Sequence, residues 1–224
     1  MEKKNLIEKL TNPKLVKIST LLALIVVFSC LIIGYIIAQF GPYGYNMFDN
    51  YISDMGSRKY TPFPYTRTIS NIISGPLFLS LTFYMKKQLI SKSLEIPKIR
   101  RMLGTLGFFG MLILFIGMMF TGIITEDVSM QIHTYLAIIA IFGGVLATVS
   151  YGILITAYPT NIPKNVGIYM ILCIPIIAIL TMIGYPSQIF YEWILLFSLY
   201  SWIILCSVFL LKHTDETRYK MEII

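Results

Sequence analysis

The sequence predicts an all-α integral membrane protein, a bundle of six transmembrane helices with the N and C termini in the cytoplasm. Apolar residues make up 56% of its 224 residues and charged residues only 13%, with a mean hydropathy of +0.74. An ordinary soluble domain does not have this balance. Six segments reach or approach the roughly 20 apolar residues that a helix needs to cross about 30 Å of hydrocarbon. In addition, most of the basic residues lie on one side of these segments.

The six segments form a single predicted domain, residues 1–224. Their ranges are 18–40, 68–85, 102–124, 128–158, 166–185 and 192–211. The first exceeds the core of a secretory signal, about 7 to 15 residues, so we expect it to be retained. Gly75-Pro76 predicts a kink in the second, and the length of the fourth predicts a tilted or interfacial end. Pro175 lies near the middle of the fifth, and the sixth is expected to end at Lys212.

The basic residues orient the bundle. Fifteen of the 18 Lys and Arg residues lie in the N-terminal stretch, between the second and third segments, at Lys164 or in the C-terminal tail. Only Arg58, Lys59 and Arg67 lie on the other side. The positive-inside rule assigns the basic side to the cytoplasm, which places both termini there. The net charge of +7 is therefore a topology signal and gives no support for nucleic acid binding.

The motifs of common soluble enzymes are missing. The sequence has no glycine-rich phosphate loop, no His-Glu-x-x-His and no Gly-x-Ser-x-Gly. Cys30, Cys173 and Cys206 fall inside predicted helices, where an odd set of cysteines is expected to serve packing. No cofactor is expected. The lack of Asn-x-Ser/Thr sequons and of an organelle-sorting tail is compatible with a prokaryotic plasma membrane.

Small residues recur where helices would touch. Gly104, Gly107 and Gly110 follow one another at three-residue intervals on the third segment, and Gly143 and Ala147 form a small-xxx-small pair on the fourth. This pattern predicts close helix packing. A substrate groove and a helix-mediated oligomer are the alternatives. No internal repeat supports an inverted-repeat transporter.

A polar turn, residues 50–56, lies in the connection between the first two segments. Ser53 and Asp54 offer a hydroxyl and a carboxylate side by side, and Gly56 allows a turn with positive φ. The connection is also rich in aromatic residues, namely Tyr43, Tyr45, Tyr60, Phe63 and Tyr65. We predict that it packs onto the bundle as a lid; a simple capped turn within a headgroup-level aromatic belt is the alternative.

His133 and Glu192 are the other candidates on this side. His133 lies about five residues into the fourth segment, roughly 8 Å below its start, and an ionisable group at that depth usually faces the bundle interior with a partner. A structural histidine bonded to a backbone carbonyl is the alternative. Glu192 opens the sixth segment at the hydrocarbon boundary. We expect Asp54, His133 and Glu192 to converge. No metal is predicted, because a catalytic zinc site takes three protein ligands.

Four features, taken in order along the chain, resemble a known family. They are Tyr51-Ile52-Ser53-Asp54-x-Gly56, Asn71 early in the second segment, His133, and Glu192-Trp193 at the start of the sixth. Together they resemble the six-helix Frag/DRAM/Sfk membrane family and its prokaryotic relatives of the domain-of-unknown-function-998 type. Met55 departs from the threonine of animal members. The resemblance implies lipid handling or membrane organisation and supplies no reaction.

These observations predict a polytopic membrane protein that binds or organises lipid through a polar site at the extracytoplasmic end of the bundle. The predicted ligand-binding residues are Ser53, Asp54, Asn71, His133 and Glu192. Asn71 is included because of the family resemblance. A lipid-modifying enzyme with His133 as general base, oriented by Asp54 or Glu192, is the alternative. A third hypothesis is a proton-coupled transporter in which His133 and Glu192 relay the proton. The expected partners are membrane lipids.

Overall fold

The computed structural model describes residues 6–90, 97–184 and 187–222, with side chains as far as Lys212. Parts of the features described above lie outside these residues: the start of the basic N-terminal stretch, part of the basic connection between the second and third segments, the last position of the fifth predicted segment, and the side chains of the C-terminal tail after Lys212.

The described chain is helical and contains no strand. Its helices are α1 (Leu6–Leu10), α2 (Pro13–Ala38), α3 (Tyr65–Leu89), α4 (Lys98–Ile123), α5 (Glu126–Ala157), α6 (Lys164–Ile183) and α7 (Gln188–Glu222). A short 3-10 helix, Ile52–Gly56, lies between α2 and α3; we call the end of the bundle that carries it the outer end. Helices α2 to α7 are long and apolar enough to cross a membrane. The predicted six-helix all-α fold is confirmed.

The helices extend beyond the predicted segments at several ends. Helix α2 begins at Pro13, where the Asn12 side chain accepts a hydrogen bond from the Lys14 N–H at 3.0 Å, a typical helix start. The sixth predicted segment ends at Lys212, where the apolar span Gln188–Lys212 also ends, and helix α7 continues beyond it to Glu222. Charged residues mark where a chain leaves the hydrocarbon, but they do not stop a helix.

Helix α5 contains one break. Ser129 has φ −164° and ψ 104°, so the first turn, residues 126–128, is offset from the long part of the helix. The Ser129 hydroxyl accepts a hydrogen bond from the Ile132 N–H at 3.4 Å and so caps the second part. The tilted or interfacial end expected for this segment stays a prediction. Helices α3 and α6 run on as single helices through Pro76 and Pro175.

Consecutive helices from α2 to α7 pack against one another, and α7 also contacts α2 and α3, which closes a ring. The tightest approach joins α4 to α5. A Cβ atom added to Gly110 would lie 2.5 Å from the Ala147 nitrogen, and one added to Gly143 would lie 2.7 Å from the Leu114 nitrogen. The packing role predicted for these small residues is therefore confirmed.

Candidate functional site

The outer 3-10 helix is docked onto the bundle. Ile52, Asp54, Met55 and Gly56 are all buried. The positive φ predicted for Gly56 is wrong: among the described residues, only Gly44 and Gly184 have positive φ. Gly56 is buried, but an added Cβ would meet the Arg67 Cβ at 3.6 Å, an ordinary van der Waals distance. The predicted lid-like packing of this connection is confirmed.

One side of the docked segment is tied to the start of α5. The Ser57 hydroxyl donates to Asp127 Oδ1 at 2.7 Å, and the Arg58 N–H donates to Asp127 Oδ2 at 2.9 Å. One carboxylate thus accepts two hydrogen bonds from the segment that follows the 3-10 helix, and charge-assisted bonds of this kind are the stronger class.

The other side is tied to α7. The Trp193 indole N–H donates to the Asn50 carbonyl at 3.0 Å, and the Ile52 N–H donates to Glu192 Oε2 at 3.3 Å. The Tyr51 hydroxyl lies 3.1 Å from Gln188 Oε1. Because both sides are held by side chains of the bundle, the segment closes the outer end as a fixed cover.

Asp54 serves the cover itself. Its Oδ2 accepts hydrogen bonds from the Tyr51 N–H at 2.9 Å and from Asn50 Nδ2 at 3.5 Å, so it caps the 3-10 helix. The residue is 5% exposed. Burial, followed by the charge of Glu126, raises the pKa of Asp54 to about 6. Asp54 does not line the cavity described next, and its predicted ligand-binding role stays a prediction.

A cavity of about 100 Å³ lies against the 3-10 helix, between α3, α4, α5 and α7. Its polar lining consists of Ser53, Arg67, Asn71, Thr121, His133 and Glu192. The remaining walls are apolar: Ile52 from the cover, Leu114 and Met118 from α4, Ala137, Ala140 and Ile141 from α5, and Leu195, Leu196 and Leu199 from α7. The structure therefore brings Ser53, Asn71, His133 and Glu192 together around one space.

The helices contribute to the cavity with a regular spacing. On α7 the lining positions are Glu192, Leu195, Leu196 and Leu199, one face of a helix. On α4, α5 and α7 the polar residue lies at the outer end of its stripe and the apolar residues lie deeper, while α3 contributes only Arg67 and Asn71. The polar groups therefore form one end of the cavity, and the hydrocarbon walls form the rest.

His133 is held by both ring nitrogens. Nδ1 lies 2.7 Å from the carbonyl oxygen of Ile124, at the C-terminal end of α4. Because a carbonyl only accepts, Nδ1 carries the hydrogen. In the neutral ring this leaves Nε2 as an acceptor, and Nε2 lies 4.0 Å from Glu126 Oε1. The imidazole thus makes the carbonyl bond of the structural alternative, faces Glu126 with Nε2, and belongs to a residue that lines the cavity.

Arg67 is the site residue that the sequence reading missed. It is half-buried on the first turn of α3 and lines the cavity one helical turn before Asn71. None of the described residues accepts a hydrogen bond from its guanidinium or lies within salt-bridge distance of it. The available signal was its position: it is one of three basic residues on the outer side, four residues before Asn71 and therefore on the same helix face.

Asn71 is 2% exposed and only partly satisfied. Its Nδ2 donates to Thr121 Oγ1 at 3.1 Å, while its Oδ1 has no hydrogen-bond partner within the described part of the chain. A buried acceptor without a partner is costly in a medium that excludes water. The polar end of the cavity thus holds an unpaired acceptor together with unpaired guanidinium donors.

Fold and site define a six-helix integral membrane protein with a partly polar cavity at one end of the bundle. The chain belongs to the family described as "Protein of unknown function (DUF998)", whose model matches residues 22–208. The match includes every polar residue of the cavity and confirms the predicted family of the 998 type; the wider likeness to the Frag/DRAM/Sfk group stays a resemblance. No curated protein and no solved structure matches the chain. Within the described ranges, no three His, Cys, Asp or Glu side chains are grouped as metal ligands.

Proposed function

We propose that this protein binds a membrane lipid, with the headgroup at the polar end of the cavity and the start of an acyl chain along its apolar walls. The observation that carries the proposal is the division of the cavity into a polar outer end and an apolar remainder. Such a division matches an amphiphile that is oriented as the surrounding bilayer lipids are. We further propose that this membrane is a prokaryotic plasma membrane.

The apolar lining of the cavity supports an organic ligand. A volume of about 100 Å³ exceeds the roughly 30 Å³ share of a single water several-fold, and water needs two to four polar partners at each position. Leu114, Met118, Leu195 and Leu199 offer none. A hydrocarbon segment satisfies these walls better than water does.

The polar end of the cavity also supports a bound ligand. Asn71 Oδ1 is buried and has no hydrogen-bond partner among the described residues, which is costly where water is excluded. None of the described residues accepts a hydrogen bond from the half-buried Arg67 guanidinium. A polar headgroup would supply both partners. Closure of the outer end by the docked 3-10 helix would retain it.

Filling the cavity tests this function. Ala137 lines the cavity, so Ala137→Phe places a ring where the acyl chain is proposed to lie. Ile139→Phe is the matched control, because Ile139 lies on the same helix but is exposed and does not line the cavity. We expect the lipid that co-purifies with the protein, counted by mass spectrometry, to fall at least about fivefold in Ala137→Phe and to stay unchanged in Ile139→Phe. Equal occupancy in both variants and the wild type would contradict the proposal.

One observation favours an enzyme as the second candidate. The bond from Nδ1 to the Ile124 carbonyl leaves His133 Nε2 as a hydrogen-bond acceptor beside the cavity, the form that a general base requires. The reaction class would be acyl transfer or hydrolysis of the bound lipid. A variant His133→Gln that still folds should then lose turnover across a lipid panel, whereas a wild-type protein without any turnover would remove this candidate.

A further inference from the structure

The unpaired groups at the polar end specify the chemistry of the headgroup. We propose that the bound lipid carries an anionic group beside an ammonium with N–H donors, as a phosphoethanolamine headgroup does. This inference rests on the proposed lipid binding and narrows it to one class of lipid. It follows from three side chains of the cavity, namely Arg67, Asn71 and Glu192.

Arg67 requires the anion. A guanidinium presents five N–H donors in a planar fork that fits a phosphate through two parallel bonds. In the described part of the chain, no acceptor is within hydrogen-bond reach of this fork. Arg58 and Lys59, the other cations at the outer end, are exposed and do not line the cavity. Arg67 is therefore the residue placed to receive a phosphate at this depth.

Asn71 and Glu192 require hydrogen-bond donors. Asn71 Oδ1 is a buried acceptor without a partner among the described residues. Of the described groups, only the Ile52 N–H donates to the Glu192 carboxyl, at 3.3 Å, so this carboxyl has further lone pairs to offer. A primary ammonium supplies up to three N–H donors. A quaternary ammonium supplies none and would leave Asn71 Oδ1 unpaired.

Arg67, Asn71 and Glu192 together exclude a headgroup that carries only negative or only positive charge. An anionic headgroup without an amine would pair with Arg67 but would place further acceptors against Asn71 and Glu192. A cationic amphiphile would pair with Glu192 but would stand against the Arg67 charge. One guanidinium and one carboxyl in the same cavity match a ligand whose phosphate and ammonium balance each other.

Lipids with identical acyl chains test the inference. Native mass spectrometry of the full chain in detergent would measure the dissociation constants of phosphatidylethanolamine, phosphatidylcholine and phosphatidylglycerol. We expect phosphatidylethanolamine to bind about tenfold more tightly than either of the others, the effect of one hydrogen bond to a charged group. Equal affinities for the three would overturn the headgroup inference and leave lipid binding intact. If no lipid binds the wild type better than it binds Ala137→Phe, the proposed function itself fails.

Three variants assign the preference to its residues. Arg67→Gln should weaken phosphatidylethanolamine and phosphatidylglycerol alike by about tenfold, because both carry the phosphate, while Arg58→Gln, at an exposed cation of the same end, should have no effect. Asn71→Leu should remove most of the preference for phosphatidylethanolamine over phosphatidylcholine. Glu192→Gln provides a second measure of the same preference in case Asn71→Leu does not fold. A preference that survives both changes would contradict the assignment.

The same headgroup chemistry also occurs in a soluble molecule. Free phosphoethanolamine, added at the concentrations used for the lipids, should not displace bound phosphatidylethanolamine, because it lacks the acyl chain that the apolar walls receive. Displacement with equal affinity would assign the cavity to a soluble zwitterion. That result would keep the headgroup chemistry and contradict the proposed lipid binding.

Discussion

Helices α4 and α5 meet in two contrasting ways along their length. Around Gly110 and Gly143 they touch backbone to backbone, and no room is left for a single added carbon atom. Nearer the outer end, Met118 of α4 and Ala137 of α5 line an open cavity. The same two helices therefore make a backbone-to-backbone contact and line part of the cavity, so the cavity does not reflect a bundle that packs poorly throughout.

The two regions also differ in the groups that meet there. The seam between α4 and α5 around Gly110 and Gly143 consists of backbone and small apolar groups, whereas the cavity contains Asn71 Oδ1, one of several buried polar atoms without a hydrogen-bond partner in the described chain. Packing alone favours neither an open space nor an unpaired polar atom in a membrane. We infer that the seam serves stability and the cavity serves binding, and the predictions below separate these two roles.

The largest expected effect lies at the seam. Gly110→Ala would place a Cβ 2.5 Å from the Ala147 nitrogen, so the two helices must move apart. We expect a loss of about 3 kcal/mol in the free energy of unfolding, at the upper end of overpacking effects. Gly56→Ala is the matched control, because its new Cβ would meet only ordinary contacts at 3.6 Å; it should cost less than about 1 kcal/mol.

Denaturation in detergent, followed by circular dichroism, would compare the two glycine variants. If Gly110→Ala and Gly56→Ala lose equal stability, the seam is not the tight contact that the structure describes.

A smaller effect should follow from pH at the cover. The pKa of Asp54 is raised to about 6 in the folded protein, above the value of about 3.9 for an unperturbed aspartate. Folding therefore favours the protonated acid. This contribution is complete below about pH 4 and is lost as the pH rises to about 6. We expect it to be on the order of 1 kcal/mol.

The pH prediction is checked with Asp54→Asn, which stays neutral at every pH. As the pH rises from 4 to 6, the unfolding free energy of the wild type should fall relative to that of Asp54→Asn. Asp49→Asn, at an exposed acid of the same connection, is the control and should follow the wild type. A pH-independent difference for Asp54→Asn would show that this acid does not titrate with folding.

The smallest effect on stability, combined with a large effect on binding, is expected at Glu192. Gln can accept the Ile52 hydrogen bond in place of the carboxylate, so Glu192→Gln should change the free energy of unfolding by less than about 0.5 kcal/mol. Co-purified lipid, counted by mass spectrometry, should nevertheless fall several-fold, because the charge that faces the headgroup is gone. Unchanged lipid with unchanged stability would mean that Glu192 serves only the cover.

The sequence predicted the six spans because hydrocarbon length imposes a minimum run of apolar residues. It could not predict where α7 ends, because a helix continues in water after the chain leaves the bilayer. It also missed α1, whose five residues are too few for a periodic signal. Both features lie in parts of the chain to which the apolar-length requirement of a membrane span does not apply.

The candidate site was predictable in part for a related reason. His133 and Glu192 stood out as ionisable groups at the edge of apolar segments, and the structure places both around one cavity. Arg67 did not stand out, because a basic residue next to a span is also common as an interfacial anchor. The capping role of Asp54 depends on the backbone path of the 3-10 helix, which its sequence alone does not determine.

The most direct measurement of the central claim is photo-cross-linking in membranes. A phospholipid that carries a diazirine near the top of one acyl chain would be activated in situ, and adducts would be mapped by peptide mass spectrometry. Lipid binding in the cavity predicts adducts on Met118 and Leu196, both of which line it, and their loss in Ala137→Phe. Adducts confined to outward-facing residues such as Ile139 and Phe197, and unaffected by Ala137→Phe, would contradict it.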